Sequence, residues 1–410
     1  MTAPAEARMG NQIARQFAHL PADEAADAVA RHIESFWDPR MRRTLQALVA
    51  AHDQSLDPVL VAAAGRLAGP RATRRPPTVT PPTVELHVHL EGTLEPATIF
   101  AAARANDLPT PAASVEELAA RYEFEDLQSF LDIYYANLVV MRTAEDFYAM
   151  TESYLLRAHA ANVRRAELFL DPQTHLENGI DLAVVMEGVT AAMAAHPEVS
   201  TGLIACFLRH LGPEAAVAAY DALEPHRASL LGIGLDSSEV GFPNRDFAEV
   251  FERAGADGLH RVAHAGEEGG PDNIIDSLDL LGVERIDHGV RCLEDPHLVA
   301  RLVRDRVPLT VCPQSNVRLR VVDHMRDHPL GRMLDLGLLV SVHSDDPAYF
   351  GGYVDDNYRA VTEDLGLTTT DLRRLADNSV ESAFVSSEER AELHAAVEAW
   401  FDAEERAIRP

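Results

Sequence analysis

Ser341 to Tyr353 reads SVHSDDPAYFGGY. The apolar residues Leu338, Leu339, Val340 and Val342 run into its polar Ser-Asp-Asp-Pro stop. A short apolar run of this kind reads as a buried strand, here Leu338–His343, with Asp345 and Asp346 delivered at its end. Two adjacent carboxylates left unpaired would repel and raise one pKa, so a cation or a donor-rich ligand is their natural partner. Regular strand geometry points them to opposite faces, with Pro347 able to redirect Asp346. Three more stretches can complete such a setting: His87 and His89 in ELHVHLEG, His264 and Glu267 in VAHAGEE, and His288 in RIDHG.

Working back from this run, seven further apolar segments read as strands: Val84–His89, Arg165–Leu170, Gly202–Leu208, Leu230–Leu235, Leu259–His264, Glu284–His288 and Pro308–Cys312. Helix-length segments separate most of them. Eight βα units predict an α/β fold, a parallel (β/α)8 TIM barrel. Glu95 to Ala160 is too long for one crossover. Helical stretches around Pro96–Ala103, Ser114–Arg121, Leu127–Leu138 and Ala144–Ala161 are expected to form a lid over the barrel mouth. The unusual polar residues stand at the C-terminal strand ends, Asp171, Arg209, His210, Asp236 and Glu239 among them, and that is the face where this fold carries its active site.

Two domains and a linker are expected: a small helical unit at 1–68, a Pro/Arg-rich linker at 69–83, and the barrel at 84–410. In the first, helices are expected before Leu20, over Glu24–Phe36, over Arg40–His52 and over Pro58–Leu67, with Trp37-Asp38-Pro39 as a breaker. The chain has 410 residues, 47% hydrophobic and 25% charged, with a net charge of −29. So acidic a chain is no phosphate-tracking nucleic-acid binder. Its three cysteines lack CxxC spacing, the N-terminus lacks a signal-peptide core, and no run of about 18 apolar residues appears. A cytoplasmic protein without membrane spans is the expectation.

His87 and His89, two apart on one strand, face the same side. Two neutral imidazoles converging inside a barrel suit zinc. The HxH pair alone is a weak signal. With His264 on strand 5 and Asp345 on strand 8 it becomes a three-histidine, one-carboxylate set, and zinc can still expand to take a water. Glu267, beyond the end of strand 5, can reach a substrate atom without touching the metal. By itself it would read as a solvated loop carboxylate. His288 can reach the water, although an isolated histidine there is more often a satisfied core residue. The plain reading of Asp346 is support for a ligand or a helix cap.

HVHLEG, HAGEE, RIDHG, CPQSN and SDDP, in that order, resemble the adenosine/adenine deaminase branch of the metal-dependent amidohydrolases. The resemblance runs from Val84 to the C-terminus. It is closer to the adenine deaminases, on ELHVHLEGTLEP, AELFLDPQTH, GLDSSEVG and SDDPAYFGGYVDDNY. It implies one zinc per chain on His87, His89, His264 and Asp345, with iron as the alternative ion. Glu267 would give a proton to purine N1, His288 would orient the attacking water, and Asp346 would bind N7. The reaction implied is hydrolysis of adenine to hypoxanthine and ammonia, with adenosine or another 6-aminopurine as the alternative substrate. Where nucleoside enzymes usually have Asp for the ribose, this chain has Glu91, expected to meet N9–H or N3, and Ser237 stands where they place a glycine near N3. His343 and Gln314 depart from the usual Asn and Leu. His343 shares strand parity with Asp345, and a packed or hydrogen-bonded histidine is expected rather than a fifth ligand.

NQIARQFAHLPADEAADAVARHIESFWDPRMR and LDPVLVAAAGRL resemble the delta subunit of NAD-dependent formate dehydrogenases. This implies an interaction module, with a dehydrogenase-type protein partner for residues 1–68. Docking through that unit is a function of a different class, compatible with catalysis in the barrel.

Overall fold

The computed structural model describes residues 5–17, 20–37, 44–45, 48–49, 51, 55–66 and 80–408. The chain forms two compact units, Met1–Arg75 and Pro76–Pro410. Most of the helix expected over 40–52, and all of the expected linker before Thr80, lie outside the described residues.

In the smaller unit, helices run over Ala5–Gln16, Ala22–Phe36 and Pro58–Arg66. Ala26, Val29, Ala30 and Ile33 form one buried stripe at helical spacing, and Trp37 closes it in the same core as Leu60. Asn11 ties two of these helices. Its amide donates to Ser55 O at 2.6 Å, and its carbonyl accepts from Asp57 N–H at 2.7 Å.

In the larger unit, eight strands pair in parallel in the order of the sequence: β1 Thr83–His89, β2 Val163–Leu170, β3 Ser200–Leu208, β4 Gly232–Asp236, β5 His260–Ala265, β6 Arg285–His288, β7 Pro308–Val311 and β8 Leu339–Val342. The seam between the ends is closed just past β8, where Asp345 N–H donates to His87 O at 3.0 Å and His89 N–H donates to Asp345 O at 3.1 Å. The (β/α)8 barrel is therefore the fold. Expected and observed strand limits differ by one or two residues at most ends.

Alternation sorts each strand into two faces. On β1, Val84, Leu86 and Val88 join the main apolar core, while Glu85, His87 and His89 alternate with them. The lumen is filled in layers. Phe169, Ile204, Cys206 and Val262 make a small apolar cluster of their own. Nearby, Arg285 pairs with Glu167 at 2.6 Å and Arg165 with Glu167 at 3.3 Å, all three buried. Buried charges survive only in such pairs.

Only part of the expected lid covers the mouth. The helix Leu127–Leu138 lies over it, capped by Asp126. Ala144–Ala160 instead packs along Leu182–Ala195 and serves as an ordinary outer helix of the barrel. Among the described residues no helix is long and apolar enough to cross a membrane.

Candidate active site

The four expected stretches meet at the C-terminal end of the barrel. β1 presents His87 and His89 two residues apart, and β5 presents His264 one residue before its end. The chain then leaves the strands abruptly: His288 has φ +66° and Asp345 φ +69°, both left-handed. That turn overrides the strand parity expected for Asp345 and Asp346, so both carboxylates face the same cavity. Gly92, just after β1, makes this possible. A Cβ there would collide with Asp346 Oδ1 and stand 2.8 Å from Asp346 Cα. Gly92→Ala is therefore expected to displace Asp346, raising KM about tenfold or more and costing about 1–3 kcal/mol of stability. Steady-state kinetics and thermal melting check it, and an unchanged KM would count against this placement.

The ligand atoms have the spacing a metal requires. His89 Nε2 lies 3.2 Å from His264 Nε2 and 3.5 Å from Asp345 Oδ1, and His87 Nε2 lies 3.4 Å from the same oxygen. Ligands about 2.0–2.1 Å from a tetrahedral ion stand about 3.3 Å apart. His87 Nε2 is buried with no hydrogen-bond partner among the described residues. His87, His264, His288 and Asp345 each bring a ligand atom within 4.8 Å of one another, and His89 joins the set through His264 and Asp345. Three imidazoles and a carboxylate fit a divalent ion of the zinc class.

Neighbouring strands aim the rings. His87 Nδ1 meets Thr310 Oγ1 at 3.0 Å, and that hydroxyl donates to Asp287 Oδ1 at 2.9 Å. His264 Nδ1 lies 3.6 Å from Asp287 Oδ2, and His89 Nδ1 3.6 Å from Asp236 Oδ2. Each ring thus turns Nδ1 toward an oxygen and leaves Nε2 for the metal, the arrangement that fixes a ligand's tautomer. Phe169 lies beneath them, its ring centroid 5.2 Å from His87 and 5.1 Å from His89.

Electrostatics sort the groups further. Burial pulls His89 down to about 4, His288 to about 3, and His264 well below its ordinary value. These rings offer lone pairs, as ligands must. Burial pushes Asp345 up, but His87, His288 and His89 outweigh it and hold the carboxylate well below its usual range. Burial also lowers His87, which Asp345 and Asp287 reverse, so its pKa is raised. Glu267 and Asp346 go the other way. Burial, reinforced by Asp345, pushes both well above the carboxylate range. Asp345 thus favours the ionised form, while Glu267 and Asp346 beside it favour the protonated one.

Glu267 lies 3.6 Å from His288 Nε2, and the same nitrogen is 3.6 Å from Asp345 Oδ2. The loop carrying Glu267 is clamped by Glu239, whose carboxylate accepts from the backbone N–H groups of Gly266, Glu267, Glu268 and Gly269 and from Asn273 Nδ2. Arg209, fully buried, donates to Asp236 O, Asn244 Oδ1 and His264 O and so ties the ends of β4 and β5. Both residues were legible only as polar strand ends. Thr310 and Asp287 carried no signal, because the register between strands decides which ring they meet.

Ser237 lines the cavity with φ +71°, its hydroxyl 2.7 Å from His210 Nδ1 and 3.4 Å from Tyr135 OH. Glu91 is buried behind the wall. Its Oε1 accepts from Asp171 N–H at 3.0 Å and meets His175 Nε2 at 2.8 Å. Asp171 itself lines the cavity and takes Tyr134 OH at 3.2 Å. His343 is absent from the clusters of candidate ligand atoms among the described residues. Its Nδ1 accepts from Leu86 N–H at 3.0 Å, so its Nε2–H donates to Ser341 Oγ at 2.7 Å. The ring replaces a main-chain carbonyl in the β8–β1 seam. Gln314 N–H donates to Asn357 Oδ1 at 3.0 Å.

Residues 82–400 match the family model described as adenosine deaminase, and residues 7–64 match that of the NADH-dependent formate dehydrogenase delta subunit FdsD. An adenine deaminase of Cupriavidus necator is 54% identical over 320 residues, 77% of this chain and 91% of that protein. The crystal structure of adenine deaminase from Arthrobacter aurescens superposes with a TM-score of 0.78 at 51% identity, covering 79% of this chain and 100% of that one. An amidohydrolase from Burkholderia ambifaria, with bound zinc, gives 0.72 at 29% identity, covering 79% and 91%. The barrel that gathers these histidines and carboxylates is thus that of a metal-dependent hydrolytic deaminase, and the chain belongs to the adenosine deaminase family.

Proposed function

We propose that the protein deaminates adenine to hypoxanthine and ammonia, with one zinc ion held by His87, His89, His264 and Asp345. The observation that carries it is the set of ligand atoms at 3.2–3.5 Å spacing beside the buried carboxyls of Glu267 and Asp346. When bound, the ion supplies water acidic enough to act as a nucleophile near neutral pH. Glu267 gives its proton to N1 as water adds at C6. His288, neutral and beside both Glu267 and Asp345, holds the attacking water in line. Asp346 donates from its carboxyl to N7, an acceptor in the base. One proton of the water restores Glu267, and the other passes from the new C6 hydroxyl to N6, so that the C6–N6 bond breaks, C6=O forms and ammonia leaves.

The choice of the base over nucleosides and nucleotides rests on the cavity wall beside His89. Asp171, Asp236 and Ser237 line it, Glu91 stands behind it, and no lysine or arginine lines the cavity among the described residues. Such a wall offers acceptors to ring N–H donors and no cationic partner to a phosphate. The name borne by the Cupriavidus and Arthrobacter relatives points the same way. Three free, buried cysteines suit the reducing cytoplasm. Residues 7–64 support the further reading of a docking module with a dehydrogenase-type partner.

Turnover of adenine and adenosine by the zinc-loaded protein, followed by ultraviolet absorbance and ammonia release, tests the proposal. Adenine is expected to react and adenosine to be ignored. Adenosine as the better substrate would overturn the choice of the base.

A further inference from the structure

We propose that Asp171 determines the preference for the free base, by accepting the purine N9–H at its Oδ1. The inference rests on adenine deamination and names the residue that would enforce it.

Asp171 stands at the end of β2, and its side chain lines the cavity while only 1% of the residue is exposed. Three contacts fix it. Its main-chain N–H is bound by Glu91 Oε1 at 3.0 Å, Glu91 is itself held by His175 at 2.8 Å, and Asp171 Oδ2 accepts from Tyr134 OH at 3.2 Å on the lid helix. Oδ1 is left. It is buried, and among the described residues only the neighbouring Asp236 carboxyl, whose own Oδ1 is likewise without another partner, is placed to share a proton with it. A buried acceptor held so firmly and left with an open lone pair is costly unless a ligand completes it.

The purine supplies one matching donor. With C6 toward the metal, N1 toward Glu267 and N7 toward Asp346, the free edge carries N3, an acceptor, and N9–H, the only ring donor left. Asp171 shares a hydrogen bond with the neighbouring Asp236 carboxyl; when Asp236 is the donor, Asp171 Oδ1 accepts that bond and keeps a second lone pair for N9–H. A nucleoside carries carbon on N9. It would leave that lone pair open and crowd Oδ1, and a site built around a substrate N–H rejects analogues that lack it far more strongly than an apolar pocket can. Glu91 then acts as a positioning residue, through the main chain of Asp171.

The test compares adenine with 9-methyladenine on the full-length, zinc-loaded protein and on Asp171→Ala, reading kcat/KM for both. Where 9-methyladenine turns over too slowly, its inhibition constant against adenine is read instead. The wild type is expected to favour adenine at least about a hundredfold. Asp171→Ala is expected to lose about tenfold to a hundredfold on adenine, and far less on 9-methyladenine, so that the ratio collapses toward one. Asp171→Asn keeps the volume and a weaker acceptor, and serves if the alanine variant does not fold. Its ratio is expected to move the same way by a smaller factor. A ratio that stays fixed in a soluble variant, both substrates falling together, overturns the assignment. Failure of the wild type to deaminate adenine at all would instead overturn the underlying reading.

Discussion

Asp345→Asn is expected to lose bound zinc and at least about a thousandfold in turnover while remaining folded. The carboxylate lies 3.4 Å from His87, 3.5 Å from His89 and 3.6 Å from His288, and it is the one ligand atom that those rings hold ionised. Without its charge, three neutral imidazoles face a divalent ion with no anionic partner. Asparagine is the informative replacement because the backbone here is left-handed, at φ +69°. Asparagine tolerates that region better than most residues, so the main-chain bonds to His87 and His89 that close the barrel are retained. Metal content by atomic emission after dialysis, with circular dichroism as a control for folding, checks the prediction. A variant that keeps a full complement of zinc and near-wild-type turnover would remove Asp345 from the ligand set.

The same residue shows where sequence reading stops. Strand parity placed His87 and His89 side by side, and the strand-end rule of the barrel brought His264, His288 and Asp345 to one face. Both rules are local, and both hold in the structure. Asp346 defeated the same parity argument because a non-glycine residue turns left-handed directly before it, and neither composition nor periodicity marks such a turn. His343 has the parity of a ligand but belongs to the seam, since β8 ends at Val342 and the ring takes Leu86 N–H in place of a strand carbonyl. Thr310, Asp287 and Asp236 lie against the rings of His87, His264 and His89 from neighbouring strands, and which residue stands beside which is set by register, a property of the closed sheet. Glu239 gathers its donors from a loop after the next strand. The gathering of these histidines and carboxylates was thus legible from residue types, and the contacts that orient them were not.

The other large effect is expected at Glu267. Glu267→Gln should lower kcat about 10²- to 10⁴-fold while leaving zinc content intact and KM within a few-fold. The amide is nearly isosteric and keeps the loop where it is, because the clamp from Glu239 reaches backbone N–H groups and ignores the Glu267 side chain. What it removes is the proton. Burial first, then the nearby Asp345 and Glu268, push the carboxyl's pKa up and favour its protonated form, and the amide has no such proton to give to N1. The readout is the combination: a metal-replete, substrate-binding enzyme with a slow chemical step. If zinc and activity disappear together, Glu267 acts through the metal site and its role as acid is wrong. If kcat survives, proton delivery must come from elsewhere in the cavity. The neighbouring Glu268 is the group to replace next: it is only half-buried, and its main-chain N–H is held by the same Glu239 carboxylate at 3.0 Å.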